Sequence, residues 1–79
     1  MEFMTTTTLD TKGMNCPLPI LKAKKALKDL AAGDLLEVLS TDPGSVKDFD
    51  SFCRTTGNEL METDTGDDGV YTFTIKKGA

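Results

Sequence analysis

Histidine and tryptophan are both missing from the 79 residues, and cysteine occurs only twice, at Cys16 and Cys53. Without histidine the chain lacks the commonest general base and the commonest metal ligand, so a Cys–His nucleophilic pair is excluded and no metal or other cofactor is expected. Two thiols could build a tetrahedral zinc site only across two copies of the chain. They are also too few to staple a secreted mini-domain. No run approaches the ~18 apolar residues of a membrane span. The start, Met1-Glu2-Phe3-Met4 followed by four threonines, has neither the basic nor the apolar stretch of a signal peptide. The expected location is a reducing cytoplasm, with no membrane partner. Met1–Phe3 read as an extension ahead of a natural start at Met4, and residues 1–4 as disordered.

What is present is a modest apolar content: 38% hydrophobic residues, 6% aromatic. That supports one small core and a single domain over residues 1–79, its packed part spanning about 5–78, and it excludes a TIM barrel or any site built between domains. Thirteen acidic against nine basic residues give a net charge of −4. Such a chain repels phosphate backbones, so direct nucleic-acid binding is not expected.

The pattern along the chain reads β-α-β-α-β-β. Thr5–Thr11 is a β-branched, edge-type strand, and Gly13–Asn15 a turn. Cys16-Pro17-Leu18-Pro19 opens a helix with Pro17 at its first position and Pro19 at its third, where backbone N–H groups have no helical partner. Ile20, Ala23, Leu27, Leu30 and Ala31 form its inner stripe, and Gly33 ends it. Leu35–Ser40 is a strand. Asp42-Pro43 starts a second helix with Val46, Phe49, Phe52, Cys53 and Thr56 inward and Gly57 at its end. Glu59–Thr63 and Val70–Lys77 form an antiparallel hairpin around Gly66–Gly69, with Tyr71, Phe73 and Ile75 sharing a face. The predicted fold class is α+β: a two-layer sandwich with both helices on one face of a four-stranded mixed sheet.

One constellation carries chemistry. Cys16 at a helix N-terminus sits in a field that favours its thiolate. The flanking prolines stiffen the turn and withhold N–H donors, which leaves the sulfur projecting and nucleophilic. The plain alternative is a small residue at a helix start, although Ser, Thr, Asp and Asn cap better. Pro19 stands where a thioredoxin-type motif needs its second cysteine, so dithiol exchange within the motif is excluded. A nucleophile that accepts a group and passes it on remains, and a persulfide needs only one cysteine. Cys53 reads as core filler; a resolving partner for Cys16 would require an inward side chain to meet an outward one. Leu18, Leu21, Lys24, Lys25 and Lys28 fall on the outward or flanking face of the first helix, as a docking patch for an acidic partner or as an ordinary solvated face. Asp48, Asp50, Asp64, Asp67 and Asp68 read as solvated helix and turn residues, not metal ligands.

In order and spacing, the chain resembles the TusA-like sulfur carriers, the SirA or CPxP family. The resemblance runs through Leu9-Asp10, Gly13, Cys16-Pro17-Leu18-Pro19, Gly33, Asp42-Pro43, Phe52-Cys53, Gly57 before Glu59-Leu60, and Lys76-Lys77-Gly78, covering about residues 9–78. It implies the same β-α-β-α-β-β sandwich and a persulfide on Cys16, with Gly13, Pro17 and Pro19 as scaffold. It also implies protein partners: a sulfur donor such as a cysteine desulfurase or rhodanese, and an acceptor carrier or enzyme. The pathways it implies are tRNA thiolation, molybdenum-cofactor supply or sulfur oxidation. A monomeric carrier is the expectation. The readings from other classes are a non-catalytic interaction or regulatory module, and a redox sensor using Cys16 with Cys53.

Overall fold

Leu35–Ser40 alternates: Leu36, Val38 and Ser40 are buried, whereas Leu35, Glu37 and Leu39 are half-buried. A period of two marks a strand with one face on a core. The computed structural model describes residues 6–15, 18–66 and 68–78. They form β1 (Thr6–Asp10), α1 (Leu18–Lys28), β2 (Leu35–Ser40), α2 (Ser45–Thr56), β3 (Glu59–Thr65) and β4 (Tyr71–Lys76). The sheet order is β1-β2-β4-β3; β1 runs parallel to β2, and β4 runs antiparallel to both its neighbours. The class is α+β with a four-stranded mixed sheet.

Register assembles the core. Leu36 faces Ile75 and Val38 faces Phe73 across β2 and β4. On that side of the sheet they meet Ala23 and Leu27 of α1 and Phe49 and Cys53 of α2 in a single cluster. In each helix the buried side chains recur every fourth residue: Pro19, Ala23, Leu27 in α1 and Ser45, Phe49, Cys53 in α2. That spacing lines one helical face. Phe49 stacks on Phe73 with ring centroids 4.6 Å apart and meets Phe52 edge-on at 6.3 Å. Each large side chain so buried contributes roughly 1.5–3 kcal/mol of transfer free energy. Among the described residues, no helix is long and apolar enough to cross a membrane.

Several boundaries differ from the sequence expectation. The first helix stops at Lys28 rather than Gly33, because the Asp29 and Leu30 amides bond three residues back, to Ala26 and Leu27, both at 3.2 Å. This tightened turn is sealed from afar: the Lys77 ammonium donates to the carbonyls of Leu27 (2.6 Å) and Leu30 (2.8 Å), which adds a donor at the carbonyl end of the helix. Ala31 is consequently exposed, not part of the inner stripe. The second helix begins at Ser45 with Gly44 as its N-cap. Asp42 instead accepts the Gly44 amide on Oδ1 at 3.0 Å, forming a turn that contains Pro43 just upstream. Thr56 is exposed and donates its hydroxyl to the Phe52 carbonyl. The third strand continues to Thr65, with an irregularity between Leu60 and Glu62 that leaves Met61 half exposed, and β4 begins one residue after Val70.

Candidate functional site

β1 and β2 are parallel and each runs into a helix, so both helix N-termini emerge at the carboxyl end of this strand pair. That end is laced together by backbone and hydroxyl groups. Thr11, fully buried, donates both its amide (2.8 Å) and its hydroxyl to the Leu39 carbonyl. The Gly13 amide donates to Thr41 Oγ1 at 2.9 Å, and the Met14 amide to the Thr11 carbonyl at 3.1 Å. Gly13 has φ +82° with open space where a Cβ would lie. Its role is therefore conformational, the left-handed turn that brings its amide onto Thr41. Ser45 Oγ donates to the Asp42 carbonyl and accepts from the Ser40 hydroxyl (2.9 Å), and the Asp42 amide donates to Ser40 Oγ at 3.2 Å. These hydroxyls fasten the segment before Cys16 to the end of β2, and the end of β2 to the start of α2.

The Leu18 amide donates to the Asn15 carbonyl at 2.9 Å, holding the two flanks of the Cys16–Pro17 pair together. Cys16 and Pro17 themselves, and the helix-cap geometry expected of them, lie outside the described residues. Pro19 is fully buried in the first turn of α1 and anchors that turn to the core. No carboxylate occupies this first turn, so the positive end of the α1 dipole meets no opposing charge from its own helix.

Cys53 lies at the other extreme of thiol chemistry. It is 2% exposed in the core, and its thiol is pushed up from an ordinary 9.0 to about 11, first by burial and second by the charge of Asp50. A buried, protonated thiol is inert as a nucleophile.

Leu18 and Leu21 are 47% and 54% exposed, and Lys24, Lys25 and Lys28 are exposed beside them. The structure adds members that periodicity did not single out. An open groove between α1 and β1 is lined by Leu9, Leu18, Leu21, Lys22, Lys25, Ala26 and Asp29. Leu9 and Lys22 join the patch because α1 packs more on β2 than on β1, so β1 is left partly uncovered. Thr11, Ser40, Thr41 and Ser45 were likewise not singled out from sequence; their only signal is hydroxyl residues at the ends of strands and the start of a helix.

With this geometry in place, comparison with known proteins decides the family. The family model for sulfurtransferase TusA matches residues 7–77. The chain belongs to the TusA family. Among its relatives, the sulfur carrier protein TusA of Allochromatium vinosum is 58% identical over 69 residues, covering 87% of this chain and 90% of that protein. The sulfur carrier protein TusA of Pseudomonas putida is 37% identical over 78 residues, covering 99% and 96%. A crystal structure of a SirA-like protein from Desulfitobacterium hafniense superposes with a TM-score of 0.82 at 34% identity, covering 92% of this chain and 99% of that one. The observed mixed sheet and two helices are thus those of a TusA-family, SirA-like fold.

Proposed function

We propose that this TusA-family chain is a sulfur carrier whose working atom is Cys16 Sγ, acting as a persulfide shuttle in a sulfur relay. The thiolate of Cys16 attacks the outer sulfur of a donor persulfide. A new S–S bond forms to Cys16, the donor's S–S bond breaks, and the donor's own sulfur leaves as a thiolate, with no net oxidation or reduction. In delivery an acceptor thiolate attacks the outer sulfur of Cys16–S–SH, and the Cys16 thiolate departs. The chain works as a sulfurtransferase component that returns unchanged after each transfer.

The observation that carries this reading is the burial of Cys53. Of the two thiols in the sequence, one is sealed in the core and held protonated, and chemistry on sulfur falls to the other. The same burial speaks against a Cys16–Cys53 redox switch. Gly13 and Pro19 act as scaffold through the Thr41 hydrogen bond and the buried ring, with Pro17 completing the motif. Leu18, Leu21, Lys24, Lys25 and Lys28 form the docking face for the protein donor and acceptor, a cysteine desulfurase or rhodanese on the supplying side. The carrier operates in the cytoplasm.

The test is intact-protein mass spectrometry after incubation with a cysteine desulfurase and cysteine, or a rhodanese and thiosulfate. The expected result is a gain of one sulfur on the wild type, removed by reductant and absent from Cys16→Ser. Equal loading of Cys16→Ser, or none on the wild type with either donor, overturns the proposal. Full cellular function of Cys16→Ser would favour a non-catalytic module, and an intramolecular disulfide under mild oxidant a redox sensor.

A further inference from the structure

Strand β1 is the parallel edge of the sheet, and an open groove lies between it and α1. Its odd-numbered residues turn towards β2 and the helix layer: Thr7 pairs with Leu36 and Leu9 with Val38, and beyond the strand the Thr11 amide continues the pattern to Leu39. By the alternation of a strand, the backbone N–H and C=O groups of Thr6, Thr8 and Asp10 point away from the sheet. Among the described residues no strand pairs with that outer edge. The helix-side surface next to it is also uncovered. Thr7 is exposed although it faces the helix layer, Leu9 is half-buried, and Leu18 and Leu21 stand out from α1 above them.

We propose that β1 and this groove take an extended segment of a partner protein, added as a fifth strand, whose groove-facing residues read carboxylate, apolar, carboxylate. The backbone of the segment satisfies the outward groups of Thr6, Thr8 and Asp10. Its central apolar side chain enters between Leu9, Leu18 and Leu21, and its two carboxylates meet Lys22 and Lys25. Charge selects this occupant. The flank of α1 carries Lys22, Lys24, Lys25 and Lys28 against the single carboxylate Asp29, within a chain of net charge −4. A second copy of the chain, paired β1 to β1 about a two-fold axis, would bring two such lysine flanks together and is disfavoured for that reason. On the opposite sheet face the neighbours of an added strand are Thr6, Thr8 and Asp10, so the alternate positions of the segment suit small neutral residues. The inference extends the docking part of the sulfur-carrier reading and names the form of the partner's contact. It does not depend on the sulfur chemistry.

The test uses the full chain as its Cys16→Ser variant, so that failure of docking and failure of persulfide chemistry are read separately. The probes are two blocked peptides, Thr-Glu-Thr-Leu-Thr-Glu-Thr and the same sequence with lysine for glutamate, titrated to millimolar concentration against the 15N-labelled protein. With the acidic peptide, NMR shifts are expected over β1 and the Leu18–Lys25 flank, with slowed amide exchange at Thr8 and Asp10. The lysine peptide should bind about tenfold more weakly, and Lys22→Glu with Lys25→Glu, both on the surface, should reverse that order. Shifts confined to α1 without protection at Thr8 and Asp10 overturn the strand addition. Equal binding of both peptides, binding of neither, or concentration-dependent self-association that buries β1 overturns the assigned occupant.

Discussion

Ionisation alone should make the two thiols of this protein chemically distinct, and Cys53 gives the number. A thiol titrating near 9.0 is ~10% thiolate near pH 8, whereas one held at about 11 is ~0.1% thiolate. The smaller thiolate fraction therefore slows alkylation about a hundredfold before steric exclusion is counted. At 2% exposure a reagent also needs a local opening of the α2–β4 interface, where Phe49 covers Phe73. If that opening costs ~3 kcal/mol, a further factor of ~100 follows. The perturbation is Cys16→Ser, which leaves Cys53 as the sole thiol. The assay is iodoacetamide labelling near pH 8, followed by intact mass, native and in denaturant. Cys53 should label at least a hundredfold more slowly in the native protein than when unfolded, and it should take up no sulfane sulfur on the same timescale. Native labelling within tenfold of the unfolded rate would refute the burial argument, and with it the assignment of sulfur chemistry to Cys16 by elimination.

The same thiol carries a pH signature. Because the folded value lies above the ordinary one, its stabilising contribution is complete below about pH 9 and is lost as pH rises towards about 11. Urea unfolding of the wild type relative to Cys53→Ala should show a loss of about 2–3 kcal/mol across that window. Lys77→Met removes the ammonium from the Leu27 and Leu30 carbonyls and should lower stability by about 1.5–3 kcal/mol, measured by thermal unfolding. Gly78→Ala drives a Cβ into the Gly57 carbonyl oxygen and should cost about 1–3 kcal/mol in urea unfolding, through displaced backbone at the α2–β3 junction. Thr41→Val removes the acceptor of the exposed Gly13 amide. Stability should change by less than ~1 kcal/mol, while sulfur loading of Cys16 slows, since the segment before it loses its tether.

Elements whose cause is local were legible in the sequence. Leu35–Ser40 carries both its apolar character and its boundaries in six residues, and the strand appears at those positions. Phe49 and Cys53 at fourfold spacing fixed the inner face of the second helix, and Gly57 its left-handed end at φ +78°. What was missed has causes distant in the chain. Nothing near Lys28 says that the helix ends there, because the group that seals its carbonyls arrives from Lys77, fifty residues away. Nothing near Lys22 says that it lines a groove, because that depends on how α1 divides its packing between β1 and β2. The motif could offer Cys16 as a candidate, while the hydroxyls that tether the segment before it could not be picked out, since serine and threonine near strand ends are ordinary.

Those hydroxyls explain how so small a fold holds the segment that leads to Cys16 in one place. Thr11 and Ser40 are fully buried and Ser45 nearly so, yet none lacks a partner. A buried hydroxyl without one costs about 1–3 kcal/mol. A segment that slipped from its place would uncouple Thr11 from Leu39 and Gly13 from Thr41 together, so small displacements are resisted by several bonds at once. Beyond this knot the chain reaches the Asn15–Leu18 hydrogen bond and then Pro19, whose ring is fully buried. The residues bracketing Cys16 are thus pinned on both sides by groups with no part in sulfur chemistry. A carrier that must meet a donor and an acceptor in turn needs its reactive atom near the surface and its mounting rigid. Here rigidity comes from the buried end of the β1–β2 pair, which leaves the exposed face of α1 free to vary with the partner.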